Sequence, residues 1–298
     1  VVNLSVDAET TNVVTENLIA ESPGSNPDNV VMVGAHLDSV REGPGIQDNG
    51  SGSAAILAIA LELAGNRKYA PPQNTLRFAW WGGHEEGLIG SFEYITNVDF
   101  GLINIPDEIA KIAAYLNFEM IASPNFIYGV YDADGSSFAA PVPIPAGSEA
   151  LEDLFEAYYT IAGLPYDDVE LSGRSDYQVF SLLDIPVGGL FTGAEVVKTS
   201  EQAAIWGGVA GEQFDPCYHL ACDTFDNVSL EALEVNIDAA AYAVYNLAAT
   251  TEAVNGVPGV DPRGTTPEDV EFDGPQGTFV SGGGLAAGHG EHAPRAID

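Results

Sequence analysis

The chain has 298 residues, 46% of them hydrophobic, enough to bury the core of one large domain, alone or with a tail. Nine Lys plus Arg against 44 Asp plus Glu give a net charge of -35, which repels phosphate backbones and anionic lipid heads and so excludes nucleic acid and acidic membranes as partners. Such a surface suits a secreted protein, a saline environment or cation binding, and simple solubility explains it equally well. No run reaches the roughly 18 to 20 apolar residues of a membrane span, so membrane insertion is not expected. The N-terminus VVNLSVDAETT lacks the charged-then-apolar order of a signal peptide, and the chain is expected to be already processed.

In chain order, NVVMVGA at 29–35 is a nearly continuous apolar run, the pattern of a strand buried on both faces, and His36 follows it. The turn-forming GPGIQDNGSG at 43–52 contains Asp48, and SAAILAIALELA at 53–64 places apolar residues all round a buried helix. TLRFAWW at 75–81 is the next strand, followed by the loop WWGGHEEG at 80–87 and a helix over 91–98. AAYLNFE at 113–119 is a third strand, ending in Glu119. FIYGVYD at 126–132 reads as a strand, 148–163 as an amphipathic helix, 185–191 as an inner strand and 229–250 as a long helix capped by Ser229. Strands alternating with helices predict an α/β fold with a mostly parallel central sheet flanked by helices. After Asn255 the composition shifts to Gly, Pro and acidic residues. This divides the chain into a domain over 1–252 and a Gly/Pro-rich C-terminal extension or linker over 253–298. No internal repeat is present, so a solenoid is not expected.

Ligands of doubly wound sheets gather at the carboxyl ends of strands, so His36, Glu85 and Glu119 are expected to converge in one crevice. Asp48, from a glycine-rich loop, would bridge two divalent metals, and His219 would complete the second. Asp38 would accept the other ring proton of His36. Alone, each His reads as structural and each Glu as solvated; five such residues in loops or at strand ends favour a metal centre. Cys217 and Cys222 flank His219 and form either a short-loop disulfide or two free thiols. Both lie in one tight segment, which favours the disulfide and an oxidising compartment.

The segments VVMVGAHLDSVREGPGIQDNGSGSAAIL, RFAWWGGHEEGLIGS, YLNFEMIASPN, SGRSDYQVF, GGLFTGAE and DPCYHLACDTFDN closely resemble the secreted two-zinc aminopeptidases of the Streptomyces aminopeptidase type. The likeness runs from about Val6 to about Ala249. It implies a zinc exopeptidase fold, an extracellular location, peptide substrates and two zinc ions: His36 and Glu119 on one, Glu85 and His219 on the other, Asp48 between them. It further implies that Tyr218 hydrogen-bonds the tetrahedral intermediate and that Arg174 lies near the substrate cleft, where a structural salt bridge is an equal reading. Glu234 and Asp238, one helical turn apart, match a calcium-modulation region of some relatives, although two such carboxylates are usually just solvated.

Two positions depart from the family pattern. The loop spacing puts His84 where relatives carry the glutamate general base, and Glu86 at a variable position. A pair of neighbouring dications disfavours imidazolium, so a weakened enzyme is expected. Relatives also carry additional helices before the segment that begins here, so another chain is expected to cover an apolar face left open. Three functions follow: a secreted zinc aminopeptidase favouring hydrophobic N-terminal residues, a catalytically impaired binding or structural module, and a different hydrolase on the same site, such as a carboxypeptidase.

Overall fold

A computed structural model describes residues 5–7, 12–65, 72–96, 108–260 and 278–279. Five strands, β1 (Leu18–Ser22), β2 (Asn26–His36), β3 (Asn74–Trp81), β4 (Ile112–Glu119) and β5 (Gly129–Tyr131), are joined by β6 (Asp167–Val169), β7 (Val187–Phe191) and β8 (Thr278–Phe279) in one sheet of order β1-β3-β2-β4-β7-β5-β6-β8. β1 runs antiparallel to β3 and β5 antiparallel to β7; every other pairing is parallel. The expected α/β architecture is therefore the observed one.

The apolar run of β2 is explained by its two covered faces. Val31, Val33 and Ala35 pack with α1 (Gly50–Gly65), α3 (Ser148–Ala162) and α6 (Leu230–Ala249), whereas Val30 and Met32 pack with residues of α2 (Ile89–Thr96) and α4 (Tyr177–Ser181) on the other side. Ser229 caps α6 as expected, its side chain accepting from the Ala232 N–H.

Several boundaries differ from the sequence expectation. The strand over 126–132 shrinks to Gly129–Tyr131, because the Asp132 carboxylate gathers the N–H groups of Gly135, Ser136, Ser137 and Phe138 and turns the chain into a loop. β1 went unforeseen because its edge position leaves most of it exposed, so it carries no buried period. The short α4 and α5 (Ser200–Trp206) were also missed. Helix α2 begins two residues earlier than expected; residues 97–98 lie outside the described residues.

Beyond α6 the chain forms α7 (Glu252–Asn255), where Val254 is buried and Asn255 donates to Asn29. Of the expected extension, 261–277 and 280–298 lie outside the described residues.

Candidate active site

Parallel register brings three strand ends side by side: His36 pairs with Trp81 across β2 and β3, and Gly34 with Asn117 across β2 and β4. His36 thus ends one strand, Glu119 ends its neighbour, and Glu85 follows the third. The 83–85 loop is fixed by Gly83, at φ +71°, and by Asp38, whose carboxylate accepts the N–H groups of His84 at 3.0 Å and Glu85 at 3.1 Å. Asp38 also faces His36 Nδ1, as expected, with its backbone carbonyl at 3.0 Å and its carboxylate at 3.8 Å.

Asp48 is held by its backbone. The N–H groups of Gln47 and Asp48 donate to the two oxygens of Asp223, each at 3.0 Å. Asn49 ties the same loop to the end of β4, donating to the Phe118 carbonyl and accepting from the Met120 N–H. Close packing there requires Gly52, since a Cβ would stand 2.3 Å from the Phe118 carbonyl oxygen. His219 sits between Cys217 and Cys222, which are disulfide-bonded across a Cα separation of 5.3 Å. Its φ of 58° costs about 1 kcal/mol for a residue with a Cβ, and the closed loop holds that conformation.

Five residues meet as two groups sharing Asp48. His36 Nε2 stands 2.9 Å from Glu119 Oε1 and 3.2 Å from Asp48 Oδ1. His219 Nε2 stands 3.2 Å from both Asp48 Oδ2 and Glu85 Oε2. The two oxygens of Asp48 therefore face different histidines. Ser175 donates to the second oxygen of Glu119 at 2.6 Å.

The atoms left over fit cations. A carbonyl can only accept, so the proton of a neutral His36 ring sits on Nδ1 and its Nε2 lone pair faces two carboxylates, which repels unless a cation is shared. His219 Nε2 lies at ion-pair distance from two oxygens yet hydrogen-bonds neither, and the buried Glu85 Oε1 has no hydrogen-bond partner among the described residues. Imidazole nitrogen and carboxylate oxygen are the donors that borderline divalent metals accept, and one metal on each side of Asp48 would satisfy every such atom. Charge among these side chains follows the same logic. Burial opposes charging of His36, but Glu119 and Asp48 overcome it and raise its pKa well above the ordinary value. Burial likewise works against His219, which Asp48 and Glu85 nevertheless raise to about 10. Burial would raise Asp48, and the two histidines hold it low instead.

Residues 17–244 match peptidase family M28. The chain belongs to that family. An aminopeptidase of Pseudomonas aeruginosa strain PAO1 is 50% identical over 253 residues, 85% of this chain and 45% of that protein. The leupeptin-inactivating enzyme 1 of Streptomyces exfoliatus is 47% identical over 241 residues, 80% of this chain and 50% of that one. A zinc aminopeptidase structure from Bacillus subtilis shares the fold, with a TM-score of 0.59 at 24% identity over 80% of this chain and 52% of that one. The chain spans about half the length of the curated relatives it matches.

Beside these five residues, His84 stacks on His36 with ring centroids 3.8 Å apart and planes 8° from parallel. Its Nδ1 lies 2.8 Å from Asp176 Oδ2, and Ser91 donates to the other oxygen of Asp176. Burial and His36 disfavour the charged ring, but Asp176 and Glu119 outweigh them, so its pKa is raised. Asp176 was missed in the sequence, although it stands in the same GRSD stretch that pointed to Arg174. Arg174 lines the cleft, donates to Glu195 at 2.8 Å and reaches the Tyr218 hydroxyl at 3.3 Å. Tyr218 stacks on His219 at 3.8 Å, and burial pushes its hydroxyl well above the ordinary tyrosine value, so it is a proton donor. The cleft wall is apolar, with Met120, Tyr131, Tyr177, Phe191 and Ala194 facing it. Glu234 and Asp238 are exposed on α6, outside the groups of ligand atoms that converge among the described residues.

The disulfide yields a direct expectation. Closing this short loop contributes about 2 kcal/mol in the chain-entropy picture. Replacing both Cys217 and Cys222 by Ser is expected to lower Tm by roughly 4–8 °C in scanning calorimetry of the metal-loaded protein.

Proposed function

We propose that this chain carries the catalytic centre of a secreted zinc aminopeptidase that removes hydrophobic N-terminal residues from peptides, with His84 as a weak general base. The observation that carries the reading is the pair of ligand groups sharing Asp48, in a pocket also lined by Met120, Tyr131, Tyr177, Phe191 and Ala194. The relatives, aminopeptidases of Pseudomonas aeruginosa and leucine aminopeptidase 2 of Trichophyton rubrum among them, support the activity. The disulfide supports an oxidising, extracellular setting. No described helix is long and apolar enough to cross a membrane.

His36 and Glu119 would hold one zinc, Glu85 and His219 the other, with Asp48 bridging. When bound, zinc supplies Lewis acidity toward a peptide carbonyl and brings the pKa of water to about 7. The remaining work falls to the protein. With the Asp176 carboxylate accepting from Nδ1, His84 keeps Nε2 free to take a proton and pass it to the leaving amine. The Tyr218 hydroxyl, receiving a hydrogen bond from Arg174, turns its own proton toward the developing oxyanion. The apolar side chains of the wall accommodate the side chain to be removed.

A second reading, an impaired module, is favoured by one observation: ligand-type atoms of His36, His84 and Glu119 lie within 4.8 Å of one another. Such a His84 would bind metal instead of serving as base. A carboxypeptidase is disfavoured because the cleft guanidinium, Arg174, is already paired with Glu195. Hydrolysis of a leucine anilide, but not its N-acetylated form, by zinc-loaded protein supports the aminopeptidase reading; two bound zinc ions with no turnover support the impaired module. Asp176→Asn weakens the hold on the His84 tautomer and is expected to lower kcat about 10-fold to 100-fold with zinc content and KM little changed.

A further inference from the structure

A second group of acids lies outside the site just described. Helix α3 carries Glu152 and Glu156 one turn apart, and β6 brings Asp168 to them, so that one oxygen of each lies within 4.8 Å of the others. Asp168 is 0% exposed. Its Oδ2 accepts from the hydroxyls of Ser137 and Ser136, whereas its Oδ1 is buried with no hydrogen-bond partner among the described residues. Glu152 is 3% exposed, and its Oε2 accepts the N–H groups of Ala133 and Asp134, each at 2.9 Å. Asp132 and Asp134 extend the group from the adjoining loop. Among the described residues, none of these five acids is ion-paired with a Lys, Arg or His.

Carboxylates gathered away from water must be neutralised by protons or by a cation. Burial, reinforced by the neighbouring acids, pushes Glu152 up to about 9 and Glu156 up to about 8. The donors are oxygen only. Transition metals favour imidazole or thiolate, magnesium demands a near-ideal octahedron and keeps its waters, and calcium accepts clustered carboxylates of irregular geometry.

We propose that Glu152, Glu156 and Asp168 form a binding site for one calcium ion, filled through the unpartnered oxygen of Asp168. The ion would tie α3 to β6 and to the loop that Asp132 organises. The same wall carries Tyr131 into the active-site cleft, and the Asp132 N–H donates to the Val169 carbonyl, so calcium would stiffen one side of the substrate pocket. This inference is independent of the aminopeptidase reading.

Calorimetric titration of calcium chloride into the zinc-loaded full chain tests it, with Tm recorded in parallel. One saturable site per chain is expected, with Tm rising by roughly 5–10 °C at calcium about 100-fold above Kd. Glu156→Gln and Asp168→Asn should each abolish the heat and the shift, and should Asp168→Asn not fold, Glu156→Gln carries the test alone. A double Glu234→Gln, Asp238→Asn variant on α6 should keep both. Absence of saturable calcium binding in the wild type would overturn the proposal and leave the acids protonated instead. A calcium response that survives Glu156→Gln, or is lost in the α6 variant, would equally overturn it.

Discussion

Replacing His84 by glutamate is expected to raise kcat by about 100-fold, and replacing it by glutamine to lower kcat by about 10-fold to 100-fold, with zinc content unchanged in both. The graded order follows from the field at the site. A carboxylate is stabilised by two dications and still accepts a proton well, imidazolium is opposed by the same charge, and an amide accepts no proton at all. Asp176 offsets part of the penalty for histidine, since its carboxylate lies 2.8 Å from His84 Nδ1. In the glutamate variant the same Asp176 would face a second acid, which raises the shared pKa toward neutrality, where a general base is most effective. Steady-state kinetics on a free-amine leucine substrate at saturating zinc reads all three forms. Equal rates in wild type and His84→Gln would exclude His84 from the proton transfer.

Asp48→Asn is expected to be more severe, because in the proposed centre one residue would serve both metal positions. Its Oδ1 faces His36 and its Oδ2 faces His219, each at 3.2 Å. Asparagine keeps the shape and the backbone hydrogen bonds to Asp223, so the fold should persist, but one oxygen becomes an amide nitrogen that cannot ligate. Bound zinc should fall below about one ion per chain and kcat by about 10³-fold or more, the equivalent of several kcal/mol of lost metal assistance. Elemental analysis beside circular dichroism checks it. An Asp48→Asn protein that retains two zinc ions would show that Asp48 does not bridge.

Much of this was legible in the sequence because burial leaves a plain trace. The strands ending at His36, Trp81 and Glu119 are inner strands covered on both faces, so they read as continuous apolar runs, and the end of each run marks a crevice position. Short and edge elements left no such trace. β1 is exposed over most of its length, and β6 has three residues, two of them aspartates. The polar scaffold was the least legible part. Asp38 acts through its carboxylate on backbone N–H groups 46 and 47 positions away, and Asp223 holds the Asp48 loop from 175 positions away. Residue type cannot reveal partners set by tertiary packing. Asp176 is the instructive case: it lies two residues from Arg174, yet only the fold brings it to His84.

Anomalous scattering at the zinc edge from crystals grown with excess zinc tests the central claim most directly. The account predicts two peaks, about 3.5 to 4 Å apart, on either side of Asp48, one reached by His36 and Glu119 and the other by Glu85 and His219, with His84 held by Asp176 and ligating neither. A single peak, or a zinc bound through His84 Nε2, would contradict it.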